Sequence, residues 1–538
     1  MVTVRGAKRQ IDDPPEAETN MKASKSRSFA CAIGVLALAL STTTAAAAPT
    51  KARIASGVLV GETTDMVTTF KGIPYAAAPV GALRWAPPQA AAPWKGGRDA
   101  TSFGALCPQK LNADSTPNEG GVFGATSEDC LFLNVWAPKS AAKAPVMVWL
   151  HGGGNTTGGG SIGAYDGSAF VRDGVILVTI NYRLGALGFF AHPALTKAAK
   201  ADEPLVSYGL MDQIAALQWV KRNIAAFGGD PANVTVFGES AGGADTLGLI
   251  TARAAQGLFA GAIVESGLGW AAPIPLAKAE SQGAALAVKV GAPADATVEQ
   301  LRALPVAALA GLSMPGGGMV TDGRLLTESP TQAFENGHEA RVPLIIGTND
   351  YEASLMRTLK IPAAAVLAVA PASLKAVYAD VPTVEAKAAQ LFTDSVMGAP
   401  ARWVAAKSAD HPAWLYHFAY VPQVVRAMRP GAGHASEIPF VFASWDTLGV
   451  VGEGIKPTPE DLMVTRRMHA CWVAFAKTGV PSCVGAPVWP AYTLANDTLL
   501  DFDADGVAKV RSGFRKAQYD AQAAVILPTL KLTEAAGK

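Results

Sequence analysis

Ser240 is the residue of this chain that is best placed to do chemistry. A run of β-branched and aromatic residues, Val234–Phe237, predicts a buried strand, and the small apolar residues of Ala241–Ile250 predict a helix. Between them the sequence Gly-Glu-Ser-Ala-Gly places Ser240 on a sharp strand-to-helix turn that projects its hydroxyl. The amide of Ala241 opens the helix and can point at a developing oxyanion. The stretch therefore predicts a serine nucleophile.

A second Gly-x-Ser-x-Gly pattern, Gly159–Gly163, places Ser161 at its centre. Ser161 follows a glycine-rich loop instead of a strand, and no helical pattern follows it. Because the five-residue pattern is weak without its strand-turn-helix context, we interpret Ser161 as a loop serine.

A serine hydroxyl is a poor nucleophile until a base takes its proton, and in this fold order the acid and then the histidine follow the serine. Four histidines lie far enough downstream. His417 falls within a predicted strand, His469 falls within a predicted helix, and His411 precedes the strand at the wrong end. His434 lies in a glycine-containing loop beyond the carboxyl end of that strand, where catalytic groups of open α/β sheets collect. We therefore predict His434 as the base.

The acid should also follow a strand. Asp350 and Glu352 both lie in the segment 347–353 that follows the apolar run Val342–Ile346. Position and composition favour neither carboxylate over the other.

A glycine loop supplies the remaining part of such a site. His151-Gly-Gly-Gly154 directly follows the predicted strand Val146–Leu150. Backbone amides that are free of side-chain bulk suit an oxyanion hole, and this is the loop expected in lipase-type and esterase-type sites.

The elements that must position these groups alternate between strands and helices. Near-continuous apolar runs predict strands that are covered on both faces, at 131–136, 145–150, 175–181, 261–265 and 342–347. Amphipathic patterns predict helices at 212–227 and 461–477. The sequence therefore predicts an α/β fold with a large, mostly parallel central sheet and helices on both faces, formed by residues 49–538 without an internal repeat or linker.

The N-terminal region has the composition of a targeting segment. Met21–Arg27 is basic, Phe29–Leu40 is apolar, and Ser41–Ala48 is rich in small residues. We predict a signal peptide over 21–48 and export to the periplasm or the medium, without a stable membrane anchor, because about 12 apolar residues are too few to cross a bilayer. Residues 1–20 are interpreted as a disordered extension or as a misassigned start upstream of Met21.

The net charge limits the binding partners to be expected, and the number of cysteines limits the possible disulfide pairings. A formal net charge of +1 gives no electrostatic reason to expect a nucleic acid partner. Removal of the signal peptide leaves four cysteines, and the pairs that are local in sequence, Cys107–Cys130 and Cys471–Cys483, are the simplest of three pairings. A free thiol is the alternative for Cys471, because it lies in a predicted helix.

With these residues in hand, the chain resembles the type-B carboxylesterases, the family of cholinesterases and para-nitrobenzyl esterases within the α/β-hydrolases. The resemblance covers nearly all of the predicted mature chain. Its most specific parts are Glu128–Val135, Phe227–Asp230 and Gly238–Gly243.

The resemblance implies roles for individual residues. It selects Glu352 as the acid and Gly153, Gly154 and Ala241 as the oxyanion donors. It also implies that Ser266 and Glu239 support the histidine and the acid without contacting the substrate themselves. The family's N-terminal disulfide corresponds to Cys107–Cys130, and an ion pair beside it corresponds to Arg84 and Glu128, whereas Cys471–Cys483 has no family counterpart.

Two positions depart from the family pattern. Asn155 follows the three glycines where the family usually has an aromatic residue, and Ala353 follows the acid where glycine is usual. We expect Asn155 to change the pocket wall. The loop between Cys107 and Cys130 contains no tryptophan, which argues against a choline ester specialist.

The leading hypothesis is a secreted serine hydrolase of small-molecule carboxylic esters that works through an acyl-enzyme and needs no metal or organic cofactor. Hydrolysis of amides or carbamates by the same residues is an alternative. A non-catalytic binding protein on the same fold is a second alternative, disfavoured because Ser240, Glu352 and His434 are all present. The sequence leaves the acyl and alcohol preference and the oligomeric state open.

Overall fold

The computed structural model describes residues 47–118, 120–270, 274–314, 319–408, 410–445 and 455–535, with side chains up to residue 530. The predicted signal peptide and the 1–20 extension lie outside the described residues, apart from the last two positions of the former.

The strands occur along the whole described chain. Their bounds are β1 Ala48–Ile54, β2 Gly57–Thr63, β3 Val67–Pro74, β4 Gly97–Asp99, β5 Phe132–Pro138, β6 Ala144–Leu150, β7 Ile176–Ile180, β8 Gly229–Glu239, β9 Gly261–Glu265, β10 Ile274–Pro275, β11 Val320–Thr321, β12 Leu344–Asn349, β13 Ala413–Phe418, β14 Thr498–Phe502 and β15 Ala508–Ser512.

One 13-stranded sheet dominates the fold, in the order β1-β2-β3-β5-β7-β6-β8-β9-β12-β13-β14-β15, with β4 paired to β2. The strands from β7 to β14 in this order pair in parallel, whereas the β1-β2-β3-β5 end and β15 pair antiparallel. The predicted α/β class with a mostly parallel central sheet is confirmed. Because parallel strands end at the same edge, the loops that follow β6, β8, β12 and β13 collect there.

The helices connect and cover the strands. Their bounds are α1 Ser168–Arg172, α2 Gly185–Phe189, α3 Pro193–Ala198, α4 Tyr208–Asn223, α5 Ala241–Thr251, α6 Leu276–Lys289, α7 Val298–Arg302, α8 Val306–Leu309, α9 Pro330–Asn336, α10 Ser354–Thr358, α11 Ala363–Val369, α12 Ala372–Ala376, α13 Val384–Thr393, α14 Ala399–Lys407, α15 Ile438–Phe442, α16 Pro459–Thr478 and α17 Lys516–Ala535.

The core lies on both faces of the sheet. Along β6, Val146, Val148 and Leu150 belong to one buried cluster, whereas the alternating Met147 and Trp149 belong to another. Every residue of β7 is buried. Both observations follow from the alternation of side chains along a strand that is covered on its two faces, as the apolar runs predicted.

Both predicted cysteine pairs are joined. The sulfur atoms of Cys107 and Cys130 are 2.01 Å apart, and those of Cys471 and Cys483 are 2.03 Å apart. The second bond ties the middle of α16 to the loop that follows this helix, so the free-thiol alternative for Cys471 is wrong.

Within the part of the chain that the structure describes, no helix has the length and apolarity needed to cross a bilayer.

Candidate active site

Ser240 lies at the turn between β8 and α5. Its backbone has φ 57° and ψ −120°, an unusual conformation for a residue that carries a side chain, and its amide donates to the Glu265 carbonyl at 2.9 Å. Gly242 allows this turn, since a Cβ there would lie 2.0 Å from the Leu150 carbonyl oxygen. The first turn of α5 therefore packs directly on the end of β6, and Ser240 stays partly exposed.

The glycine loop after β6 passes beside this serine. A Cβ on Gly152 would lie 3.1 Å from the Cβ of Ser240, so no side chain separates the two backbones. Gly153 and Gly154 have φ values of 103° and 62°, which favour glycine. The loop and the first amide of α5, on Ala241, thus come to the same side of the sheet edge.

His151 and Tyr182 hold the start of this loop. The Tyr182 hydroxyl donates to the His151 carbonyl at 2.6 Å, and the two rings stack with centroids 4.4 Å apart. Burial lowers the pKa of His151 to about 4, so the imidazole is neutral and its Nδ1 donates to the Gly152 carbonyl at 2.9 Å. Sequence reasoning missed Tyr182, whose only signal is its position two residues after the end of β7.

His434 and Glu352 form a buried pair. His434 Nδ1 donates to Glu352 Oε2 at 2.6 Å. The other carboxylate oxygen, Oε1, accepts from the Ser266 hydroxyl at 2.5 Å, the Thr348 hydroxyl at 3.0 Å and the Asn349 amide at 2.7 Å. Burial alone would raise the pKa of Glu352, but His434 and these hydrogen bonds bring it below its usual value.

The remaining contacts of His434 come from two further elements. Its backbone amide donates to the Ser354 hydroxyl at 2.9 Å, a contact that sequence reasoning missed. Its Nε2 lies 3.1 Å from Glu239 Oε1. Burial alone would lower the pKa of His434, but the carboxylates of Glu239, Glu352 and Glu437 outweigh this and raise it above its usual value.

Three more carboxyl groups are buried around this pair. Burial, together with repulsion from Glu352, raises the pKa of Glu239 to about 7 and that of Glu437 to about 8. Burial raises the pKa of Glu265 well above its usual value, and the Trp472 indole donates to it at 2.8 Å. Sequence reasoning missed Glu265 and Glu437. Their only signals are the position before Ser266 and the position three residues after His434.

The structure distinguishes between Asp350 and Glu352, the two candidate acids that follow the same strand. Glu352 is fully buried against His434, whereas the Asp350 side chain is 40% exposed and faces His417, with 3.7 Å between Asp350 Oδ1 and His417 Nε2. His417 in turn donates from Nδ1 to Asp501 at 2.8 Å. Of these two candidate acids, Glu352 is the one that contacts His434.

Other residues of the sequence analysis lie around the site. Ser161 lies in a turn before a short 3₁₀ helix, not between a strand and a helix. Arg84 and Glu128 form the ion pair that the resemblance implied, at 2.6 Å. Asn155 is 3% exposed and its amide donates to Asp245 of α5 at 3.0 Å, so its side chain is turned toward this helix.

Among the side chains of the described ranges, no group of three or more His, Cys, Asp or Glu residues is arranged to hold a metal ion. A serine on a strained turn, a buried histidine–carboxylate pair and a side-chain-free glycine loop are the parts required for acyl transfer.

Comparison with known proteins agrees with this chemistry. The model of the carboxylesterase family matches residues 48–376 and 368–522. The chain is 37% identical to fumonisin B1 esterase of Sphingopyxis macrogoltabida over 470 residues, which cover 81% of this chain and 83% of that protein. It is 36% identical to para-nitrobenzyl esterase of Bacillus subtilis over 466 residues, 81% of this chain and 91% of the relative.

Solved structures show the same fold. The crystal structure of the Geobacillus stearothermophilus carboxylesterase EST55 superposes with a TM-score of 0.77 at 33% identity, covering 88% of this chain and all of that one. A structure titled PNB esterase gives a TM-score of 0.76 at 32% identity. The predicted family and the α/β-hydrolase fold are confirmed. This chain belongs to the carboxylesterase family and is a carboxylesterase.

Proposed function

We propose that the chain hydrolyses small-molecule carboxylic esters through an acyl-enzyme on Ser240, with His434 as the base and Glu352 as the acid. The hydrogen bond of 2.6 Å between His434 and Glu352 carries the proposal. Because Glu352 is fully buried and is held by three further donors, the imidazole is fixed in the tautomer with the proton on Nδ1. Its Nε2 is then the atom that accepts a proton.

In the first half-reaction the Ser240 oxygen attacks the ester carbonyl while its proton passes to His434 Nε2. The tetrahedral intermediate collapses when the C–O bond to the alcohol breaks and His434 returns the proton to the leaving oxygen. In the second half-reaction water attacks the acyl-enzyme, His434 takes a proton from it, and the acid leaves with Ser240 reprotonated. Glu352 stays ionised throughout, in keeping with its lowered pKa.

The oxyanion of both intermediates is assigned to the amides of Gly153, Gly154 and Ala241. Ala241 is the first residue of α5, so its N–H belongs to a helix terminus that favours negative charge. Gly153 and Gly154 bring no side chain between the substrate and the loop. Ser266 acts through Glu352, and Glu239 acts through the charge that it places beside His434.

The relatives' names indicate the kind of substrate. One is named for fumonisin B1 and another for para-nitrobenzyl esters, so we propose small-molecule esters for this chain as well. A graded series of p-nitrophenyl esters measures the acyl preference.

The proposal is tested with two serine substitutions. Ser240→Ala is expected to abolish ester hydrolysis, by a factor on the order of 10⁴ or more, and covalent labelling by a fluorophosphonate, because it removes the nucleophile. Ser161→Ala, the matched control from the second Gly-x-Ser-x-Gly pattern, is expected to retain both. Near-normal turnover in Ser240→Ala, or loss of labelling in Ser161→Ala, contradicts the assignment.

We also propose that the chain is exported by a signal peptide over residues 21–48. Disulfides form and persist in oxidising compartments, and two such bonds join the described chain. Fractionation of cells that express the full chain and a variant without residues 21–48 tests the proposal. Exported protein is expected to resist alkylation at Cys107 until it is reduced, whereas retention of the full chain in the cytoplasm contradicts export.

A further inference from the structure

A buried polar bridge links the glycine loop to the helix that carries Ser240. Asn155 Nδ2 donates to Asp245 Oδ1 at 3.0 Å, and Gln213 Nε2 of α4 donates to Asp245 Oδ2 at 2.5 Å. Asp245 and Gln213 are fully buried and Asn155 is 3% exposed. We call these three side chains the amide–carboxylate bridge.

The bridge lies where a carboxyl group is costly. Asp245 lies in the middle of α5, whose neighbouring residues are small or apolar and also buried. A buried carboxyl group is destabilising unless hydrogen bonds satisfy its oxygens, and here one amide serves each oxygen. Burial raises the pKa of Asp245 to about 6 although both amides lower it.

Asn155 is fixed through its backbone as well as its side chain. It follows Gly153 and Gly154 with φ 55°, a left-handed conformation that asparagine tolerates better than most residues. Its carbonyl accepts from the Gly185 amide at 2.6 Å. The residue at the end of the glycine loop is therefore anchored to α2 through its backbone and to α5 through its amide.

We propose that Asn155 and Asp245 are a positioning pair that sets the oxyanion loop relative to the helix of Ser240. This inference rests on the proposed function. The oxyanion donors come from two separate elements, since Gly153 and Gly154 belong to the loop and Ala241 belongs to α5. Donors that stabilise a transition state must be held within a fraction of an ångström, and the bridge is a direct side-chain hydrogen bond between these two elements.

The bridge also accounts for the departure of Asn155 from the family pattern. An aromatic residue at this position would occupy buried space through packing alone. An asparagine needs a polar partner when it is buried, and Asp245 is within reach one turn after Ser240 on α5. The two positions are therefore expected to act as a unit.

Substitutions that exchange the two side chains test the pair. In Asn155→Asp two carboxyl groups face each other, so Asp245 loses the amide donor at position 155 and the hydrogen bond between the loop and α5 is lost. Asp245→Asn keeps the hydrogen bond to Asn155, because the oxygen of the new amide still accepts from Asn155. Its nitrogen can donate to Gln213 once the Gln213 side-chain amide rotates by 180°. The double variant N155D/D245N also keeps a hydrogen bond between the two positions, because the amide at position 245 now donates to the carboxylate at position 155.

The readouts separate positioning from general stability. An aryl trifluoromethyl ketone forms a hemiketal with a catalytic serine, and its oxyanion occupies the oxyanion hole. In Asn155→Asp we expect kcat to fall and the ketone's inhibition constant to rise together, by about tenfold to a hundredfold, with KM nearly unchanged. Both parameters are expected to return to within about threefold of the wild type in the double variant and in Asp245→Asn.

Asn223→Asp is the matched control. Asn223 is a buried amide of α4 whose side chain, within the described residues, bonds to backbone alone, accepting from the Ala55 amide and donating to the Trp219 carbonyl at 3.0 Å each. This substitution is expected to lower the melting temperature without changing the ratio of inhibitor affinity to KM. If Asn155→Asp does not give folded protein, Asn155→Ser, whose side chain is too short to reach Asp245, takes its place.

The outcomes distinguish the inference from the function on which it rests. If the wild type shows no Ser240-dependent hydrolysis, the proposed function fails and the inference fails with it. If the wild type is active and inhibited but Asn155→Asp or Asn155→Ser behaves like the wild type, only the positioning pair is refuted. A double variant that stays as impaired as Asn155→Asp also refutes it.

Discussion

Two histidine–carboxylate pairs lie at the same edge of the sheet and look alike at first. His434 donates to Glu352 at 2.6 Å, and His417 donates to Asp501 at 2.8 Å, in both cases from Nδ1. All four side chains are largely buried. We call them the loop pair and the strand pair, because His434 lies in a loop and His417 lies within β13.

The pairs differ in what faces the second imidazole nitrogen. In the loop pair, Nε2 lies 3.1 Å from Glu239, the residue before the strained Ser240. In the strand pair, Nε2 faces the half-exposed Asp350 at 3.7 Å, and the ring packs on Phe514 at 4.6 Å. A histidine–carboxylate pair is therefore not an active site by itself. The group that faces Nε2 decides whether the imidazole can serve a nucleophile.

The sharpest test of this comparison is the same substitution in both pairs. His434→Gln is expected to lower kcat/KM by a factor on the order of 10⁴ or more, because no group remains to take the serine proton. His417→Gln is expected to leave kcat/KM within about threefold while lowering stability, as for a buried hydrogen-bonded residue. Steady-state kinetics and urea denaturation measure the two effects.

Equal losses of activity in the two histidine variants would make the strand pair part of the catalytic machinery. Retention of activity in His434→Gln would remove the loop pair from it.

The next test compares the two acids that accept from Nδ1. Glu352→Gln is expected to lower kcat by about 10³ to 10⁴, because a neutral amide no longer stabilises the imidazolium or selects its tautomer. Asp501→Asn is expected to cost about 1–3 kcal/mol of stability, because Asp501 also accepts from Arg511, with kcat little changed. Steady-state kinetics and denaturation of both variants measure these effects. A larger loss of kcat in Asp501→Asn than in Glu352→Gln would exchange the roles of the two pairs.

Local sequence patterns predicted the elements of the site but not all of its contacts. The turn at Ser240 and the glycine loop could be predicted because strand, glycine and helix signals are contiguous there. The elimination of His417 and His469 also followed from local pattern, since both fall within regular elements. The choice of Glu352 over Asp350 came only from the family resemblance, because both follow the same strand.

Contacts between distant parts of the chain could not be predicted. Asn155 and Asp245 are 90 residues apart, and Glu437 accepts from Asn349 across 88 residues. Such contacts form because the sheet brings distant loops together, and the local sequence around either residue gives no indication of its partner. Helix α17 also could not be predicted from its sequence pattern, because it contains Pro528 and has little apolar periodicity.

A pH profile sharpens the contrast between the groups that face the two Nε2 atoms. As a base His434 must be neutral, so kcat/KM falls as the pH drops through its pKa, which the Glu239 charge raises. Glu239→Gln removes that charge, so the acidic limb of the profile is expected to move to lower pH, by about one unit or more. An acidic limb that stays in place or moves upward in Glu239→Gln contradicts this account.

The smallest effect is expected from Asp350→Asn, the counterpart of Glu239 in the strand pair. Asp350 is 40% exposed and 3.7 Å from His417, so its charge is screened by water, and such pairs contribute about 0–1 kcal/mol to stability. Its replacement is expected to leave kcat/KM within about twofold and the acidic limb of the profile unchanged, since it does not contact His434. The measurement is kcat/KM as a function of pH for Asp350→Asn and, in parallel, for Glu352→Gln. A loss in Asp350→Asn that approaches the loss in Glu352→Gln would identify Asp350 as the acid and break the distinction between the two pairs.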